Sequence, residues 1–153
     1  MSPSILAAIA FAVVIGALLP LQALINARLG QLTHGALLAS LVSFLVGTLV
    51  LSAALLATRT AIPDARMAAS VPAWAWLGGV IGAVFVVGAT LLVPRLGAAA
   101  LVCLVVFGQI AGSLLLDHYG VLTAPKPIDA LRIVGVLLVA AGALLVVRPW
   151  QSP

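Results

Sequence analysis

Charge is what this sequence has least of. Charged residues fill 7% of its 153 positions, and the acids are Asp64, Asp117 and Asp129 alone. A soluble domain carries about 25% charged residues, so the surface of an ordinary water-soluble fold is excluded. Cysteine is nearly absent too. The single Cys103, set among Leu and Val, cannot form an intrachain disulfide and reads as a small buried hydrophobe. No Cys/His spacing suits a metal, so neither a metal site nor a cofactor is expected. His34 and His118 stand at loop edges with no nucleophile beside them, and an enzyme is not expected. Aromatic residues are 5% of the chain. The basic residues lie singly between apolar runs, with no aromatic-interleaved basic patch, so a nucleic-acid partner is not expected.

What is present is apolar. Hydrophobic residues make up 65% of the sequence and the mean hydropathy is +1.36. A chain of this size cannot hide so much apolar surface from water, and the lipid bilayer is its natural solvent. Five apolar runs stand out, at about 4–29, 35–57, 73–93, 97–116 and 130–147. Each approaches the roughly 20 residues a helix needs to cross ~30 Å of hydrocarbon. They are continuous rather than alternating, which predicts helices and not barrel strands. The expected fold is therefore an all-α integral membrane protein with five transmembrane helices in a single membrane domain, 1–153. The first run lacks a basic leader and exceeds a signal-peptide core, so it reads as a retained helix. "VPRLG" at Val93–Gly97 reads as a tight turn, and Thr58–Pro72 as the longest loop. Trp74, Trp76, Tyr119 and Trp150 fall near segment ends, where aromatic side chains anchor at the membrane interface.

The loop charges give little direction. With five spans, Arg59, Arg66, Lys126 and Arg132 share one side, and Arg28, Arg95 and Arg148 the other. A membrane protein is oriented by an excess of Lys and Arg on its cytoplasmic side, and here the excess is one residue. Two readings stay open: a single weakly specified orientation, or insertion both ways with pairing into an antiparallel homodimer. The odd span count suits the second, because many transporters combine two inverted repeats around a midplane site. One five-helix chain has the form of half such a ten-helix inverted-repeat machine.

Polar residues interrupt the apolar runs in stripes. Gln22 and Asn26 lie four residues apart on one face of the first helix, just after Pro20, which removes a backbone hydrogen bond and softens the helix. Gln109, Ser113 and Asp117 repeat that spacing on the fourth helix, with Gln109 near mid-membrane. An amide in lipid is costly, so Gln22, Asn26, Gln109 and Ser113 are candidates to line a substrate path. The competing role is helix glue, each interhelical hydrogen bond being worth about 1 kcal/mol or less. Asp117 meets headgroups at the segment end or pairs with Arg132. Gly78, Gly82, Gly108 and Gly112 sit at small-residue spacing that lets helices approach closely. No acid lies deep in an apolar run, which disfavours proton-for-cation exchange.

The segments "PLQALINARLG" (Pro20–Gly30), "ASLVSFLVGTLVL" (Ala39–Leu51), "WAWLGGVIGAVFV" (Trp74–Val86) and "GQIAGSLLLDHYG" (Gly108–Gly120), with Arg132 and Gly135 after them, carry a family likeness. In order and spacing the chain resembles the five-helix, domain-of-unknown-function (YdcZ-like) branch of the drug/metabolite transporter superfamily. It is similar in plan to the small multidrug resistance exporters, although its first helix lacks their glutamate. The resemblance implies a multi-pass protein of the bacterial inner membrane, working as a dual-topology homodimer or with a paired homologous subunit. It also places Gln22, Asn26, Gln109, Ser113 and Asp117 at the family's polar positions. The expected function is transport of a small polar or amphiphilic metabolite or drug by alternating access. The alternatives are a passive small-ion channel and a non-transporting membrane partner subunit.

Overall fold

A computed structural model describes residues 3–148. Among them the only regular structure is helical: α1 (Pro3–Leu32), α2 (Ala36–Ala57), α3 (Ala65–Ser70), α4 (Leu77–Leu96), α5 (Ala98–Tyr119) and α6 (Ala130–Val147). A single 3₁₀ turn, Ala73–Trp76, leads into α4. Five helices are long and apolar enough to cross a membrane: α1, α2, α4 with its leading turn, α5 and α6. The protein is a multi-pass membrane protein. Trp74, Trp76 and Tyr119 are exposed at helix ends, and Trp150 lies outside the described residues.

Two compact units form, one ending at Pro94 and the other beginning at Arg95. In the first, α1 packs against α2. The link between them is short, and the Gly35 N–H closes it on the Gly30 carbonyl at 3.1 Å. The buried positions of α1 are Ala23, Asn26 and Ala27, spaced to share one face. Those of α2 are Ala39 and Ser40. Small side chains at these places let two backbones come close. Farther along α2, the Phe44 ring lies over Gly82 of α4, with its tip 3.6 Å from where a Cβ would stand. In the second unit, α5 packs against α6.

Two sequence expectations need correction. Val93–Gly97 is not a turn, because α4 runs through Pro94 to Leu96. Proline's cost is one missing N–H and a crowded carbonyl four residues back. Pro94 lacks the N–H that would bond the Thr90 carbonyl, but the helix carries on past it, and the break falls instead at Gly97, whose φ of 78° only glycine adopts easily. Likewise Thr58–Pro72 is not all loop: α3 forms within it, capped by Asp64, whose Oδ1 accepts the Met67 N–H at 2.8 Å. Pro20, by contrast, sits inside an unbroken α1.

Candidate functional site

A concavity formed by chemistry-bearing residues lies between α5 and α6. Ile110, Ser113, Leu114 and Asp117 of α5 and Arg132, Gly135, Val136 and Val139 of α6 line a groove of about 390 Å³. The spacing explains the lining. On α5 the residues step by three or four, which keeps them on one helical face, and α6 repeats the pattern. At 1.5 Å per residue, the groove runs ~10 Å along each helix.

Its mouth is charged. The Arg132 Nη1 lies 4.0 Å from Asp117 Oδ2, and Arg132 Nε lies 3.6 Å from Asp129 Oδ2. Both separations exceed the usual 2.7–3.2 Å hydrogen-bond range, so the attraction is electrostatic and loose. The side chains of Arg132 and Asp117 remain 41% and 39% exposed. Asp129 also caps α6, its Oδ1 accepting the Arg132 backbone N–H at 2.8 Å. That cap was readable as an Asp just ahead of an apolar run, but sequence reasoning missed it.

Below the mouth the one hydroxyl of the α5 stripe is turned inward on the helix itself. The Ser113 hydroxyl donates to the Gln109 carbonyl, with a weaker contact to that of Ile110. Such back-bonding is how a hydroxyl is satisfied where water is scarce. Gln109 is exposed, one turn farther along α5, and does not line the groove. In a 22-residue helix it stands ~17 Å from Ala98, near mid-span.

In the first unit the amide pair is split by its surroundings. Asn26 is 4% exposed, beside Ala23 and Ala27, whereas Gln22 is exposed. Asn26 makes no side-chain hydrogen bond among the described residues, and its amide atoms retain a sliver of open surface. The glycine faces are also split. Gly82 meets Phe44, while a methyl group at Gly78, Gly108 or Gly112 would meet nothing within 4 Å. No group of metal-binding side chains forms among the described residues.

Comparison with known proteins decides the class. A family model described as "Putative inner membrane exporter, YdcZ" matches residues 7–145. The chain belongs to this family. The YdcZ family is a branch of the drug/metabolite transporter superfamily, so the five membrane-spanning helices are those of a membrane transporter. No curated protein and no solved structure matches the chain.

Proposed function

We propose that two copies of this YdcZ-family chain insert in opposite orientations and together move a small polar or amphiphilic metabolite across the bacterial inner membrane by alternating access. Gln109, Gln22 and Asn26 supply neutral hydrogen-bonding groups along the path, and Ser113 a hydroxyl that keeps its acceptor capacity. A neutral lining suits a polar or zwitterionic solute better than a bare cation, which calls for a carboxylate within the membrane.

The observation that carries this is a five-span chain of a transporter family, with Ser113 of the proposed path opening on the α5–α6 groove. Two features support the antiparallel pairing. The basic residues of the two sides are nearly balanced, and the small-residue faces at Gly78, Gly108 and Gly112 lie open in the single chain.

The test is counterflow in liposomes. Purified protein is loaded with an unlabelled panel of amino acids and short amphiphiles, and entry of the labelled counterparts is followed. Saturable exchange that Gln109→Leu abolishes, in a variant that still folds, is the expected result. Unsaturable flux would indicate a channel. No flux from a homogeneous preparation, with stable binding to another membrane protein, would indicate a partner subunit.

A further inference from the structure

The Arg132–Asp117 pair and the apolar walls beneath it complement the two halves of one ligand. We infer that the α5–α6 groove binds a single-chain zwitterionic amphiphile, its ammonium at Asp117, its anionic group at Arg132 and its alkyl tail between Ile110, Leu114, Val136 and Val139. This names the substrate class of the transport reading above. Binding itself stands apart from that reading, and only the passage of the bound molecule across the membrane rests on it.

Charge comes first. The guanidinium and the Asp117 carboxylate sit side by side at 4.0 Å without a hydrogen bond between them. Arg132 offers five N–H donors and Asp117 two acceptor oxygens. Among the described residues neither side chain makes a hydrogen bond, so both can engage a ligand without breaking one. The three mouth groups sum to one negative charge, so a simple anion is repelled, while a simple cation can pair with a carboxylate but leaves the Arg132 N–H donors without an acceptor. A head carrying both charges meets an opposite charge at each end.

Size comes second. At a liquid share of ~30 Å³ per water, 390 Å³ holds about a dozen non-hydrogen atoms. That matches one short chain with its head. The ~10 Å length of the walls suits a tail of several methylenes.

Dryness comes third. Ser113 is the one hydroxyl along the walls, and its proton is already given to its own helix. A tail therefore strands no donor. Gly135 keeps the space free, since a Cβ there would meet nothing within 4 Å.

The experiment uses the full chain in nanodiscs of anionic phosphatidylglycerol and follows equilibrium binding of radiolabelled 2-aminodecanoate. Decylamine and decanoate share its chain length and carry only one head charge each. Saturable binding is expected, with both single-charge competitors at least about tenfold weaker. Asp117→Asn and Arg132→Gln should each weaken binding about tenfold. Gly135→Leu, whose Cβ would meet nothing within 4 Å and whose longer side chain occupies the groove, should abolish it while the protein keeps its melting temperature. Equal competition by all three amphiphiles, or unchanged binding to Gly135→Leu, overturns the proposal. So does displacement by phosphatidylethanolamine added to the nanodisc, which would make the occupant a bilayer lipid. Counterflow of another solute by a protein that shows no saturable 2-aminodecanoate binding would sink this site and leave transport standing. The expected binding without any flux would sink transport and leave the site.

Discussion

Arg132 stands between two carboxylates, 4.0 Å from Asp117 and 3.6 Å from Asp129, and only Asp129 also bonds the backbone. The two acids therefore differ in what they hold. Asp129 caps α6, and removing an N-cap costs about 0.5–2 kcal/mol. Asp117 has a loose, half-exposed ion pair, a kind worth about 0–1 kcal/mol. Asp129→Ala should thus lower unfolding stability in mixed micelles by ~1 kcal/mol, and Asp117→Asn by less. The reverse ranking would show that the Asp117 pair holds α5 to α6 and is not free for a ligand.

Gly120 and Pro125 set a sharper constraint. Gly120 ends α5 with φ 63°. Its N–H bonds the Asp117 carbonyl and the next N–H, of Val121, bonds that of Leu116, a Schellman closure. A Cβ at Gly120 would stand 2.6 Å from Pro125 Cγ, while one at Gly97, also at positive φ, would stand in open space. Gly97→Ala should therefore cost only backbone strain, about 1–3 kcal/mol, because φ 78° with ψ 158° is a region open almost to glycine alone. Gly120→Ala should add an overpacking cost of about 1–3 kcal/mol. Adding Pro125→Ala should recover that second part alone. A Gly120→Ala loss that Pro125→Ala does not reduce in denaturant titrations would refute the contact.

The spans were legible because run length and composition suffice to mark a membrane helix, and α6 falls where the apolar run from Ala130 to Val147 puts it. The ends of α4 and the existence of α3 were less so. Pro94 reads as a breaker from sequence, yet α4 continues through it to Leu96, as α1 continues through Pro20. For the site, periodicity grouped Gln109, Ser113 and Asp117 on one stripe, but it could not show which neighbour the stripe meets. The α5–α6 packing takes Ser113 and Asp117 into a groove with Arg132 and leaves Gln109 outside it. No helical period could have revealed Gly135, Val136 and Val139 as the opposite wall.

Asn26 and Gln22 share a helix face by spacing, but not an environment. Asn26 is buried without a side-chain hydrogen bond among the described residues, and Gln22 is exposed. An amide acting as helix glue would lose its bond on replacement and destabilise the protein. Here an apolar residue of similar size strands no partner, and such exchanges are close to neutral. Asn26→Leu should change stability by less than ~1 kcal/mol and reduce counterflow, whereas Gln22→Leu should leave stability unchanged. A loss of ~2 kcal/mol or more in Asn26→Leu would exceed a typical interhelical hydrogen bond and assign the residue to packing.

Orientation is the most direct consequence of the charge pattern. Arg59, Arg66, Lys126 and Arg132 lie on the side of the N-terminus, and Arg28, Arg95 and Arg148 on the other. Because the side richer in Lys and Arg is retained in the cytoplasm, neutralisations on opposite sides should tip the balance in opposite directions. Arg148→Gln widens the excess on the N-terminal side and should send more C-termini outward. Arg59→Gln with Arg66→Gln reverses the excess and should keep more C-termini inside. The unmodified chain should divide between the two. A C-terminal reporter active on one side of the membrane only, paired with one active on the other, measures the fractions directly. A unidirectional parent chain that neither change redistributes would rule out the antiparallel homodimer and direct the search to an oppositely oriented partner subunit. A divided parent that shifts both ways would make the homodimer the minimal transporter, and counterflow with this chain alone would then be the decisive assay.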